Sequence, residues 1–195
     1  MPSTTREYLD VLATHRGDAL VVTTMTAAKV WSLVSPVAHD VNYLPSAMSH
    51  ASDMALGLAL ARPAQRVVCV NGDGSLLMNL GSLVTAAHCR ASNLVQIVIV
   101  NDAYLITGGS PIPGRATVDW PGLARAAGWP VAVHCDEAAV FAELAPSFLS
   151  ADGPVLISVA VVDPPDLAMR LPPVHPGESL RILRKMNTVS TTATP

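Results

Sequence analysis

Short apolar runs rich in β-branched residues alternate along the chain with longer stretches of small and apolar residues at helical spacing. Five runs read as buried parallel strands: Ala19–Thr23, Arg66–Val70, Val95–Val100, Pro130–His134 and Val155–Val161. Their near-continuous hydrophobicity marks strands covered on both faces. Thr5–Thr14 is a short amphipathic opener, and Ser52–Ala61 is small and apolar almost all round, as suits a helix pressed against a sheet or a partner. Leu76–Ala91, Trp120–Ala127 and Glu137–Leu149 complete the helical set. This alternation predicts a doubly wound parallel sheet with helices on both faces, an α/β domain over residues 1–162. Beyond Val162, Pro164, Pro165, Pro172, Pro173 and Pro176 break regular structure. Residues 163–195 are expected to form an extended arm with a short helix near Leu180–Lys185, where Glu178, Arg181 and Arg184 face solvent, and a loose tail.

Composition narrows the class. Half of the 195 residues are hydrophobic, 14% are charged, and the mean hydropathy is +0.40. Such a chain either enters a membrane or hides surface against partners. No apolar run approaches the roughly 20 residues of a membrane span. The first ten residues carry Arg6, Glu7 and Asp10 and no hydrophobic signal core. A cytoplasmic protein with large subunit interfaces is expected. The net charge of −3 supplies no basic field for nucleic acid. Cys69, Cys89 and Cys135 lie far apart without C-x-x-C spacing, so buried, reduced thiols are expected, with neither a metal cluster nor a disulfide framework.

The candidate chemistry concentrates in residues 67–107. A strand runs into Gly72-Asp73-Gly74-Ser75, which opens a helix. Glycines allow a tight turn and a close backbone approach, and the first amides of a helix favour an anionic group such as a phosphate. Asp73 at the same point would repel that anion unless a divalent cation lay between them. The next strand ends at Asn101, 28 positions after Asp73. One helix and one strand return it to the same sheet edge, where ligands bind in sheets of this kind. Its amide oxygen is a neutral ligand for a hard cation.

G-D-G followed some 25 to 30 residues later by Asn, with a strand before each end, resembles the signature of thiamine-diphosphate enzymes. The resemblance covers roughly residues 5–185 and implies a thiamine-diphosphate-binding fold. It implies magnesium held by the side chains of Asp73 and Asn101 and the carbonyl of Ala103, with Tyr104 at the family's aromatic position. Met48, 25 positions before Asp73, matches the aliphatic residue that wedges beneath the bent cofactor; the bland reading of a lone Met is core filler. Thr23-Thr24-Met25-Thr26 stands where the family has a threonine-glycine loop touching the diphosphate, without the glycine. Thr24 is thus a cofactor contact or a hydroxyl-capped helix start. His50 is a polar wall residue or a substrate contact near the cofactor. His88, mid-helix, reads as structural. Gly72, Gly74 and Ser75 complete the implied cofactor set.

Within the family, Met48-Ser49-His50-Ala51-Ser52, Gly72 through Leu83 and Tyr104 through Gly109 are similar to the branch that decarboxylates sulfopyruvate and phosphonopyruvate. That branch usually has M-G-H and a glutamate after the tyrosine; Ser49 and Leu105 depart from both. The resemblance implies a small β subunit of a two-chain lyase acting on a small 2-oxoacid, with no catalytic residue of its own. A glutamate acting on the aminopyrimidine ring belongs to a separate pyrimidine-binding domain of about 150 residues or more, expected on a partner chain, in an α₂β₂ or higher assembly. Glu7 precedes the first strand and is not expected to replace it. A carboligase subunit, as in acetolactate synthases, is the near alternative, and a regulatory cofactor-binding module is the non-enzymatic one. The iron–sulfur cysteines usual in ferredoxin-linked oxidoreductases of this family do not match these cysteines.

Overall fold

The computed structural model describes residues 2–35, 40–43 and 48–171. Six parallel strands form one sheet: β1 (Leu20–Thr24), β2 (Val41–Tyr43), β3 (Val67–Gly72), β4 (Leu94–Val100), β7 (Val131–Cys135) and β8 (Val155–Ala160), in the order β2-β1-β3-β4-β8-β7. β5 (Ala103–Tyr104) and β6 (Ser110–Pro111) make a small antiparallel pair beyond the end of β4. Each strand the hydrophobic pattern predicts is present, shifted by two residues or fewer at its ends.

Helices cover both faces. On one lie α1 (Thr5–His15), α2 (Met25–Val34) and α7 (Ala138–Ser150), whose Tyr8, Leu12, Trp31 and Phe141 meet Val68, Val70 and Ile97 of the sheet. On the other lie α3 (Ala51–Ala61), α5 (Gly81–His88) and α6 (Trp120–Ala126), packed through Ala55, Leu83 and Trp120 against Val67, Cys69 and Val98. Successive side chains of one strand thus enter opposite cores, as the two-residue strand period requires. Cys69 and Cys135 are buried and Cys89 half-buried; all three are free thiols, and burial pushes the Cys69 thiol up to about 12. Among the described residues no helix is long and apolar enough to cross a membrane.

Three features depart from the expected pattern. The helix expected over Leu76–Ala91 is two, α4 (Asp73–Leu77) and α5, because the chain turns at Asn79: its amide donates to Leu76 O, and its carbonyl accepts from the amide and hydroxyl of Ser82. His88 therefore ends α5, at the pole that favours a basic side chain. Second, α2 follows Thr24 where a helix start was only one alternative, and β2 is new; with three residues it is too short for a periodic signal. Third, the segment after β8 is not extended throughout: α8 (Leu167–Arg170) packs on α2, and the Lys29 ammonium donates to Ala168 O at 2.6 Å. The helix expected near Leu180–Lys185 lies outside the described residues.

Two tethers frame the sheet. Asp163, just past β8, accepts from the Thr5 amide at 3.0 Å and from its hydroxyl, while Thr4 and Glu7 close a capping box on α1. Asp40, 2% exposed, accepts from Arg16, from Trp31 Nε1 at 2.7 Å and from Ser35 Oγ at 2.9 Å. Arg16 also donates to Ala19 O and lies over the Trp31 ring, 5.6 Å from its centroid. Removing one member of a buried pair strands the other charge. Asp40→Ala should therefore cost about 3–5 kcal/mol, and a circular-dichroism melt should drop by on the order of 10 °C. Arg16→Met combined with Asp40→Leu should recover most of that loss; recovery of none would mean the network matters only through packing.

Candidate functional site

The carboxyl ends of β1, β3 and β4 open onto a cleft lined at its floor by Gly72, Asp73, Gly74, Ser75 and Asn101. Thr24, Met25, Met48, Ala103 and Tyr104 form its walls, together with Leu105 and Ile106. Nine of the ten predicted cofactor residues thus meet in one place. His50 does not: it caps the start of α3 with its ring largely exposed, Nδ1 lying 2.9 Å from Asp53 Oδ2 in the first turn of that helix. Its imidazole is drawn to a local carboxylate and away from the cleft.

Asp73 organises the floor. It is 1% exposed. One carboxylate oxygen accepts from the Gly74 amide at 2.7 Å; the other accepts from the amides of Asn101 at 3.0 Å and Asp102 at 2.7 Å. Asp102 adopts φ +58°, which turns two successive amides at the end of β4 toward one oxygen. The carboxylate therefore stitches the ends of β3 and β4 together. Burial pushes Asp73 up to about 6 despite those three donors, which pull the other way. Among the described residues no Lys, Arg or His lines the cleft to offset its charge. Asn101 Oδ1 accepts from the Ala103 amide at 3.0 Å, leaving one lone pair of that oxygen for another partner.

The two glycines of the G-D-G run have different reasons. A Cβ at Gly74 would collide with the Tyr104 ring, 2.7 Å from Cδ1, so this glycine is needed because Tyr104 lies against it. A Cβ at Gly72 would meet no protein atom within 4 Å; the space beside it is open. Thr24 is the N-cap of α2 but makes no capping hydrogen bond with its side chain, which removes the hydroxyl-cap alternative. The Ser75 hydroxyl accepts from the Ser49 amide at 2.8 Å. Sequence reasoning missed Met25, Leu105 and Ile106 as cleft residues. Their nearness to Thr24 and Tyr104 was the available signal.

Comparison with known proteins agrees with this geometry. Residues 22–159 match the family described as thiamine pyrophosphate enzyme, C-terminal TPP binding domain. A phosphonopyruvate decarboxylase of Streptomyces viridochromogenes is 34% identical over 189 residues, 95% of this chain and 47% of that one. A sulfopyruvate decarboxylase subunit beta of Methanothermobacter thermautotrophicus is 39% identical over 119 residues, 61% of this chain and 60% of the subunit. The matched regions thus span about half the length of these curated relatives. Among solved structures, a benzoylformate decarboxylase from Polynucleobacter necessarius shares the fold, with a TM-score of 0.70 at 18% identity over 89% of this chain and 35% of that one. Fold, cleft and motif agree, and the chain belongs to the thiamine pyrophosphate enzymes as their C-terminal, TPP-binding type of domain.

Proposed function

We propose that this chain is the diphosphate-binding β subunit of a two-chain 2-oxoacid decarboxylase of the sulfopyruvate or phosphonopyruvate type, with magnesium at Asp73, Asn101 and Ala103. The observation that carries the metal assignment is the desolvated Asp73 carboxylate at the cleft floor, with no cation beside it among the described residues. A hard divalent ion suits this donor set of one carboxylate, one amide oxygen and one backbone carbonyl, because magnesium keeps few protein ligands and shares the rest with phosphate and water. No group of three or more His, Cys, Asp or Glu suited to a softer metal occurs among the described residues. When bound, the cofactor's thiazolium ring supplies the electron sink that 2-oxoacid chemistry needs. This chain's residues do the holding. Asp73, Asn101 and Ala103 would hold the metal and diphosphate, Gly72 would leave room for them, and Met48 shapes the cleft wall.

The relatives named above support the decarboxylase reading, and the relative named as a subunit beta supports a partner chain. So does the surface: Met78 and Val84 are 54% and 59% exposed, and Leu123 adds to an apolar groove between α5 and α6. The test is an assay of the assembled complex against a panel of 2-oxoacids, measuring carbon dioxide and the carbon product together. Release of carbon dioxide with the matching aldehyde is expected, with sulfopyruvate or phosphonopyruvate turned over fastest. Acyloin products would favour a carboligase, and no turnover of any 2-oxoacid would favour a regulatory module.

A further inference from the structure

The turn that carries Met48 is held by α4 and by the break that follows it. Ser49, 9% exposed, has φ +83°, in the left-handed region that residues with a Cβ seldom occupy. Two groups from the α4–α5 segment grip it there. Its amide donates to Ser75 Oγ at 2.8 Å, and its carbonyl accepts from Asn79 Nδ2 at 3.2 Å. The same Asn79 nitrogen donates to Asp53 Oδ2 at 2.8 Å, which fixes the side chain against the first turn of α3. Asn79 is also the residue at which the helix after Asp73 breaks. The break aims the Asn79 side-chain amide at the residue just after Met48 and at the first turn of α3. Ser49 and Asp53 lie on either side of the α3 cap, so one side chain sets both the strained peptide and the helix that follows it.

We propose that Asn79 is a positioning residue: by clamping Ser49 in its left-handed conformation it fixes Met48 against the cleft, and through Met48 the conformation in which the cofactor is held. The last step rests on Met48 acting as the cofactor's wedge; the clamp itself does not. Serine has a Cβ and needs the clamp, whereas glycine would adopt the same φ freely.

The test separates the two layers. In the cofactor-free full chain carrying ¹³C-methyl methionine, with the Met48 signal assigned through Met48→Leu, Asn79→Ala should move that methyl toward its random-coil position. Loss of one hydrogen bond should speed Ser49 amide exchange about tenfold. Thiamine diphosphate affinity should stay within about threefold, since the Asp73 floor is untouched, while kcat of the assembled enzyme should fall about tenfold or more at little-changed KM, the same pattern expected of Met48→Ala if Met48 is the wedge. Adding Ser49→Gly should recover part of the methyl position and of kcat, which a merely structural loss would not allow. An unmoved methyl and amide would overturn the clamp. A moved methyl with unchanged kcat would uphold the clamp and overturn Met48 as the wedge. Should Asn79→Ala fail to fold, the Ser49→Gly/Asn79→Ala chain decides: folding with an ordered Met48 methyl upholds the proposal, and failure of that chain overturns it.

Discussion

Replacing Asp73 with alanine should abolish magnesium-dependent binding of thiamine diphosphate. The carboxylate sits desolvated at the cleft floor, where its charge is poorly screened. Unit charges 4 Å apart at an effective dielectric near 20 attract by about 4 kcal/mol, so losing this contact to a divalent ion should weaken binding by about 10³-fold. The same substitution orphans the amides of Gly74, Asn101 and Asp102, each at a cost of about 1–3 kcal/mol if left without a partner. A loss of binding could then reflect a loosened floor. Asp73→Asn, which keeps the volume and one acceptor oxygen, controls for that. It should melt closer to the parent chain yet bind as poorly as the alanine variant. Titration calorimetry with and without chelator reads the outcome. Equal affinity for parent and variants, indifferent to chelator, would sink the metal assignment.

Decarboxylase activity should appear only when a second chain carrying a pyrimidine-binding domain is added. Asp73 is the only carboxylate among the described residues lining the cleft, and it is committed to three backbone amides. Glu7 is spent elsewhere, its carboxylate accepting from the Thr4 amide at 2.7 Å and hydroxyl at 2.9 Å. Glu137 stands at the start of α7, away from the cleft. No described glutamate is placed to exchange a proton with the aminopyrimidine ring. Acid–base help of that kind is worth about 10²–10⁴-fold, and addition of the partner should restore at least that much. Steady-state assays of the chain alone and with its partner, with light scattering for mass, give the result. An α₂β₂ mass is expected, because two-fold closure is the commonest assembly. Full turnover by this chain alone would defeat the split-site reading.

How far the site could be read from sequence depended on the length of the signal. β3 and β4 are continuous apolar runs, and their pairing, with Gly72 opposite Ile99, brings Asp73 beside Asn101 as the 28-residue spacing implied. The Tyr104 position came from the resemblance and not from the strands. Short or tertiary-determined features stayed hidden. β2 takes its place by pairing with β1 across three residues, which leaves no periodic pattern to see. At the helix break the Asn79 side chain is tied to Ser49 and Asp53, far away in sequence, and a helical pattern of residues ran straight through that point. His50 sits beside Met48 in the chain, but a nearby carboxylate pulled its ring away. Two departures from the family's glycines have a common meaning in three dimensions. Met25, in the loop that stands where the family has threonine-glycine, and Ser49, where the branch usually has glycine, both adopt positive φ, +53° and +83°. Both leave backbone strain beside the cleft, where strained residues tend to cluster.

The bond between Thr5 and Asp163 joins residues 158 positions apart, and Thr5 is itself part of the cleft wall. During synthesis the floor, built from β1, β3 and β4, can form once residue 107 or so has emerged. The wall at the start of α1 must wait for Asp163, and β7 must wait for β8, its neighbour in the sheet. Contacts of such long separation form late, after their loop-closure entropy has been met. A nascent chain stalled before Asp163 should therefore offer the cofactor a floor without its finished wall, and stable loading should await the emergence of Asp163.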